Sequence, residues 1–237
     1  MNLRSLRPAY LLKRLAQMRF ERAHPDAPWL AESAVVLLDT YLKPTDIGFE
    51  WGSGRSTLWF AQRVAHLYSV EENEHWHDDI RASLKAQNLL GKVTYRFIPC
   101  DCHEIDEPAQ HPYADVARAV QENSLDFAIV DGNIRVSCIR AIIPKLKSGG
   151  LLILDNANRY FPNRYAGGNT TVHEPRAEMR THAWAGIAEQ LTDWRWLNTT
   201  NGIWDTRLWI KPSPAPVARS NRTVEHELTQ ELPWSGD

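Results

Sequence analysis

The twelve residues Asp46-Ile47-Gly48-Phe49-Glu50-Trp51-Gly52-Ser53-Gly54-Arg55-Ser56-Thr57 constrain this chain more than any other stretch. A mostly apolar run reaches an acid, passes two close glycines and enters a helical pattern. Glycine at 52 and 54 lets the backbone turn sharply and approach a ligand that a Cβ would hold away. The N–H groups opening the next helix point into the same space. The layout predicts a strand, a ligand-binding turn and a helix, as at a nucleotide-type cofactor site.

The flanking residues narrow the ligand. A dinucleotide site places a third glycine three positions after the second, with a pyrophosphate at the helix N-terminus. Here that position is Thr57, and the carboxylate Glu50, just before the glycines, would repel a pyrophosphate but attract an ammonium or sulfonium group. About twenty residues on, the strand-like run Ala65-His66-Leu67-Tyr68-Ser69-Val70 ends in Glu71, at the spacing where an acid accepts hydrogen bonds from both hydroxyls of a ribose. A cationic amino-acid end and a ribose end together describe S-adenosylmethionine.

From Thr45 to Lys211 the sequence resembles class I S-adenosylmethionine-dependent methyltransferases, of the kind found in glycan and natural-product pathways. Phe97-Ile98-Pro99-Cys100-Asp101 looks like their third strand with its adenine-side acid. Residues 125–132 look like the fourth strand and residues 147–156 like the fifth. The resemblance implies cofactor contacts from Glu50, Gly52, Ser53, Gly54, Ser56, Thr57, Glu71, Asp101 and Asp131. A helical pattern over 176–191 and strand-like runs near 195–197 and 206–210 complete an α/β, doubly wound seven-stranded sheet with helices on both faces and an antiparallel edge.

Chemistry in such a sheet belongs outside the carboxyl ends of the strands. Asp131 follows the fourth strand and Asp155-Asn156 the fifth, a hard-oxygen set suited to Mg²⁺. The set is similar to that of catechol-type O-methyltransferases, which carry a lysine three positions after the first acid. Here that position is Ile134, and Arg135 is the nearest cation, a poor general base but able to steer an anion. Mg²⁺ at Asp131, Asp155 and Asn156 is therefore one expectation. Metal-free chemistry, with Asp155 or His103 as base, is the other. His111 and His173 stand beside His103 as loop histidines of the same kind, and His75 and His77 read as a surface turn.

A chain of 237 residues, 43% hydrophobic and without a long apolar run, is expected to form one globular domain. Its parts are a helical extension over 1–43, the cofactor-binding domain over 44–211 and a disordered tail over 212–237. The formal charge of −2 and the lack of a basic stripe argue against a nucleic-acid partner. Cys100, Cys102 and Cys138 form no disulfide framework and no secretory signal precedes the fold, so a reducing, cytoplasmic setting is expected. Cys100-Asp101-Cys102-His103 lacks a second pair to complete a zinc knuckle. Residues 1–20 form a basic amphipathic helix that packs on the core or over the cofactor, contacts a membrane surface or serves as an organelle presequence, and a second helix spans Trp29–Leu42.

The substrate wall is expected from two insertions, 104–123 and 157–174, the second carrying Arg159, Tyr160, Phe161, Arg164 and Tyr165. Aromatic faces beside arginines suit a phenol or a sugar bearing an acidic group. The leading reading is O-methylation of a small-molecule or saccharide hydroxyl. N-methylation and a catalytically silent cofactor-binding scaffold are the alternatives.

Overall fold

The computed structural model describes residues 8–102, 110–161 and 182–213. Two helices come first, α1 (Pro8–Ala23) and α2 (Glu32–Tyr41). Strands and helices then alternate: β1 (Ile47–Trp51), α3 (Arg55–Arg63), β2 (His66–Glu71), α4 (Glu74–Ala86) and β3 (Val93–Phe97). A short α5 (Pro112–Asp115) precedes β4 (Leu125–Val130), α6 (Arg135–Ile142) and β5 (Leu146–Leu154). Helix α7 (His182–Gln190) leads into the hairpin of β6 (Arg195–Thr200) and β7 (Asp205–Ile210).

The seven strands lie in the order β3-β2-β1-β4-β5-β7-β6. The first five are mutually parallel, and β7 runs antiparallel to both β5 and β6. Strands covered on both faces are apolar without alternation, as in Phe127–Val130 of β4, whereas β6 at the edge is largely exposed. The chain winds outward from β1 to β3, returns, and winds the other way from β4. A crevice therefore opens between the carboxyl ends of β1 and β4, where Glu50 and Asp131 stand.

The sheet separates two apolar cores. Against one face pack α2, α3 and α4, burying Leu38, Trp59, Phe60, Ile80 and Leu84 on Leu67, Phe127, Ile129 and Ile153. Against the other pack α5, α6 and α7, burying Tyr113, Ile139, Trp184 and Ile187 on Trp51, Val130 and Leu154. The helix expected over 29–42 is shorter, because Trp29 and Leu30 belong to the turn leading into α2.

The third strand departs from the sequence reading. It spans Val93–Phe97, and the Phe97–Asp101 run lies at its end and beyond. Pro99 has no N–H for a ladder, and the last strand-like bond past β3 is Ile98 N–H to the Glu71 carbonyl. The 104–123 insertion contains α5 and a 3-10 turn, Val116–Ala119. Past residue 213, the 212–237 tail lies outside the described residues. Among the described residues no helix is long and apolar enough to cross a membrane.

Candidate functional site

Glu50 is fully buried near the end of β1, directly opposite Ser69 of β2. Its Oε2 accepts the hydroxyls of Thr57 (2.5 Å) and Ser69 (2.7 Å). Oε1 is buried with no hydrogen-bond partner. Burial pushes this carboxyl up to about 7, although the hydroxyls of Ser56, Thr57 and Ser69 favour its charged form. A buried acid with one oxygen held and one unanswered is suited to a cationic donor. Thr57, at the missing third-glycine position, links the acid to the turn: its hydroxyl also accepts the Gly54 N–H at 2.9 Å.

The two glycines play different parts. Gly52 has φ +82°, and a Cβ there would stand 2.7 Å from the Gly132 nitrogen and 2.8 Å from the Asp131 carbonyl carbon. It is therefore required by packing of the turn on the β4 loop. Gly54 is extended, and its nearest neighbour is the Trp76 ring at 3.9 Å. Trp76 Nε1 donates to the Ser53 carbonyl at 2.7 Å, roofing the turn from α4.

Glu71 ends β2 as expected and is buried, but its carboxylate already holds protein donors. Oε2 accepts the Ser53 N–H (2.9 Å) and hydroxyl (2.6 Å), and Oε1 accepts the Asn73 N–H (2.9 Å). A carboxylate has about four acceptor positions. One remains, so a pair of ribose hydroxyls fits only if the Ser53 hydroxyl turns to its other partner, Tyr95 OH, at 2.6 Å. Glu72 points elsewhere and accepts the Tyr113 hydroxyl at 2.7 Å.

Across the crevice, Arg135 clamps the ends of β4 and β5. Its guanidinium donates to the carbonyls of Gly132 (2.9 Å), Asp155 (2.6 Å) and Asp131 (3.0 Å), and to Asp131 Oδ1 (3.1 Å). It is buried and braced, so it serves as a positioning group rather than the steering cation expected. Burial raises the Asp131 carboxyl and Arg135 pulls it down; about a third of that side chain, 34%, stays exposed. Asp155 is only 3% exposed and is raised by burial and by Asp131. Its oxygens accept Thr206 Oγ1 (2.6 Å) and Asn156 Nδ2 (2.9 Å). Beside the acids, Ile134 is held at φ 38° and Asn156 at φ 49°. A β-branched residue in the left-handed region is strained, a condition that concentrates at functional sites.

These donors do not fit Mg²⁺. Each Asp155 oxygen already accepts one protein donor, Asn156 turns its amide nitrogen toward Oδ2, and Asp131 already faces a guanidinium that would repel a dication.

Other expected residues scatter. Asp101 is exposed and past the strand, while His103, Arg164, Tyr165 and His173 lie outside the described residues. Tyr160 and Phe161 are buried against Trp184 at 4.2 and 5.5 Å, so they build core rather than a substrate wall. His75 is exposed, but His77 is buried and stacked 4.5 Å from Tyr95, so the pair is not a surface turn. Ser69, Tyr95, Trp76 and Thr206 were not found from the sequence. Only the β2 pairing opposite Glu50 could have signalled Ser69; the rest act through tertiary contacts.

No family model and no curated protein matches the sequence. Solved structures do. A methyltransferase from Geobacter sulfurreducens is 14% identical with TM-score 0.52, the match covering 89% of this chain and 94% of that one. A protein from Streptococcus mutans described as a candidate methyltransferase, in complex with SAH, is 15% identical with TM-score 0.51 over 76% of this chain and 96% of that one. A candidate rRNA-methylase from Clostridium thermocellum is 12% identical with TM-score 0.52 over 76% and 94%. This chain has the Rossmann-like α/β fold of S-adenosylmethionine-dependent methyltransferases.

Proposed function

We propose that this protein is an S-adenosylmethionine-dependent methyltransferase that methylates a hydroxyl of a small molecule or saccharide without Mg²⁺. The observation that carries the reading is the buried, unanswered Oε1 of Glu50 beneath the glycine turn. Its open acceptor position supports a bond from the ammonium of the cofactor's amino-acid end, while Glu71 accepts the ribose hydroxyls once the Ser53 hydroxyl turns to Tyr95. When bound, the cofactor supplies an electrophilic methyl group.

The chain's own residues then align an acceptor. Asp131 is the more exposed acid of the pair, so it accepts the acceptor's hydroxyl hydrogen bond and takes its proton as general base. Arg135 fixes the loop that carries Asp131, and Asp155 braces β5 on β7 through Thr206. The acidic balance of the chain and its lack of a basic stripe favour small acceptors over nucleic acid.

Calorimetry tests the cofactor half. S-adenosylhomocysteine should bind with about micromolar affinity, near −8 kcal/mol, and Glu50→Gln should lose at least about tenfold. Unchanged affinity in that variant, or preference for NAD in the parent, overturns the reading. An acceptor screen for methyl transfer tests the other half. Asp131→Asn should remove turnover and keep cofactor affinity, and rates should not respond to added Mg²⁺. A Mg²⁺ requirement, or product methylated on nitrogen, would replace this chemistry with one of its rivals.

A further inference from the structure

We infer that Cys100, Cys102 and His111 form a zinc site beside the cofactor crevice. The sequence places two thiols after the third strand with no second pair to complete a knuckle. The fold supplies the missing partner, because the chain entering α5 brings His111 back to the segment that follows β3. One ligand atom from each of the three residues lies within 4.8 Å of the others. Cys100 is buried, Cys102 and His111 are half-buried, and both thiols are free of disulfides.

The donor chemistry selects the ion. Two thiolates and an imidazole are soft to borderline ligands suited to Zn²⁺, not to the oxygen-seeking Mg²⁺ or Ca²⁺. Tetrahedral Zn²⁺ needs only a small contraction of the present spacing and keeps a fourth position for water or an added donor. On binding, Cys100 and Cys102 each release a proton to solvent as Zn–S bonds form, and two thiolate charges balance the dication.

The third ligand has a further task. In the described state His111 Nδ1 caps α5 by accepting the Tyr113 N–H at 3.1 Å. A ring bound through Nε2 carries its proton on Nδ1, and one bound through Nδ1 gives that lone pair to the metal. Loading therefore releases the Tyr113 N–H in either case. The ion would also fasten the chain on both sides of residues 103–109, next to Asn133, whose amide donates to the Cys100 carbonyl at 3.4 Å. Cys138, whose thiol donates to the Asn133 carbonyl at 3.6 Å, is a thiol outside the ligand group.

The test is titration of the reduced full chain with Co²⁺ as a spectroscopic stand-in, followed by displacement with Zn²⁺. One Co²⁺ per chain should bind, giving thiolate charge-transfer absorption in the near ultraviolet and intense visible bands of four-coordinate cobalt. Equimolar Zn²⁺ should abolish both. Cys102→Ser should remove about half the charge-transfer intensity, and it and His111→Ala should each weaken Zn²⁺ at least about tenfold. Cys138→Ser should match the parent. Circular dichroism of the metal-free proteins checks that the half-buried positions 102 and 111 tolerate replacement. Absence of the charge-transfer band in the parent overturns the proposal, whatever the variants do. So does a band that survives Cys102→Ser undiminished or disappears in Cys138→Ser.

Discussion

A carboxyl group in apolar surroundings favours its neutral form, and at Glu50 this preference is set against the need to meet a cation. Its displacement from 4.5 to about 7 corresponds to about 3 kcal/mol. Because the folded value lies above the unfolded one, that stability is fully present below about 4.5 and is lost as pH rises through about 7. Glu50→Gln does not titrate, so without ligand it should gain stability relative to the parent between pH 5 and 8 by up to about 3 kcal/mol. Thermal melts across that range check this. The cofactor should reverse the sign, since its ammonium, ionised up to about pH 8, favours charged Glu50. Binding at pH 6.5 should therefore release a proton, seen by calorimetry in buffers of different ionisation enthalpy, and Glu50→Gln should release none. The glycines give a second contrast at this scale. Gly52→Ala combines a positive φ with a Cβ against the β4 backbone and should cost at least about 1–2 kcal/mol along with cofactor affinity. Gly54→Ala meets nothing nearer than 3.9 Å and should fold like the parent. Chemical denaturation of both variants decides, and equal losses would contradict the packing role of Gly52.

At the scale of elements, the crevice depends on β4 and β5 ending in register, and Arg135 is the side chain that joins those ends. Lysine keeps the charge but not the planar fork that reaches several acceptors at once. Arg135→Lys should thus cost about 3 kcal/mol, read as a lower denaturant midpoint. Turnover should fall with little change in cofactor affinity, because the β1 side of the crevice is untouched. Equal loss of cofactor affinity would instead make Arg135 part of the binding surface. The elements that define this crevice were legible in the sequence wherever local pattern and tertiary role agree: β1 with its glycines, β2 ending at Glu71, and the doubly covered β4. Legibility failed where one local signal admitted two tertiary outcomes. Phe97–Asp101 is apolar enough for a strand, but Pro99 and the edge position of β3 place it beyond the ladder. Arg135 and Tyr160 have the composition of a binding surface, and burial, of Arg135 at the start of α6 and of Tyr160 against α7, turns them into bracing and core. His111 is nine residues from Cys102 with no motif to join them, so only the return of α5 makes them neighbours.

For the whole molecule, the question is how the two N-terminal helices contribute to a sheet that begins only at residue 47. Helix α2 is continuous with the core. Ala34, Val35 and Leu38 are buried, Ala31 N–H donates to Thr206 Oγ1 at 3.0 Å, and Thr206 in turn bonds Asp155 beneath the crevice. Helix α1 is different. Its Phe20 packs partly against the same core, while Leu11, Leu12 and Leu15 are exposed by 51%, 67% and 55%. Burying one large apolar side chain is worth about 1.5–3 kcal/mol, against a total stability of about 5–15 kcal/mol for a domain. Removing residues 1–23 forfeits part of one such contribution and should leave a folded, cofactor-binding protein whose unfolding free energy falls by no more than about 2 kcal/mol. Removing residues 1–43 also strips Leu30, Val35 and Leu38 from the core and leaves Thr206 and Asp155 without the α2 anchor. That protein should lose most of its stability and fail to show a cooperative unfolding transition at 37 °C. Urea unfolding of both truncations, followed by far-ultraviolet circular dichroism, checks the pair. Collapse on removal of 1–23 alone would mean that α1 is part of the fold. Survival without 1–43 would mean that the sheet carries its own core, with α2 serving the crevice instead of the domain.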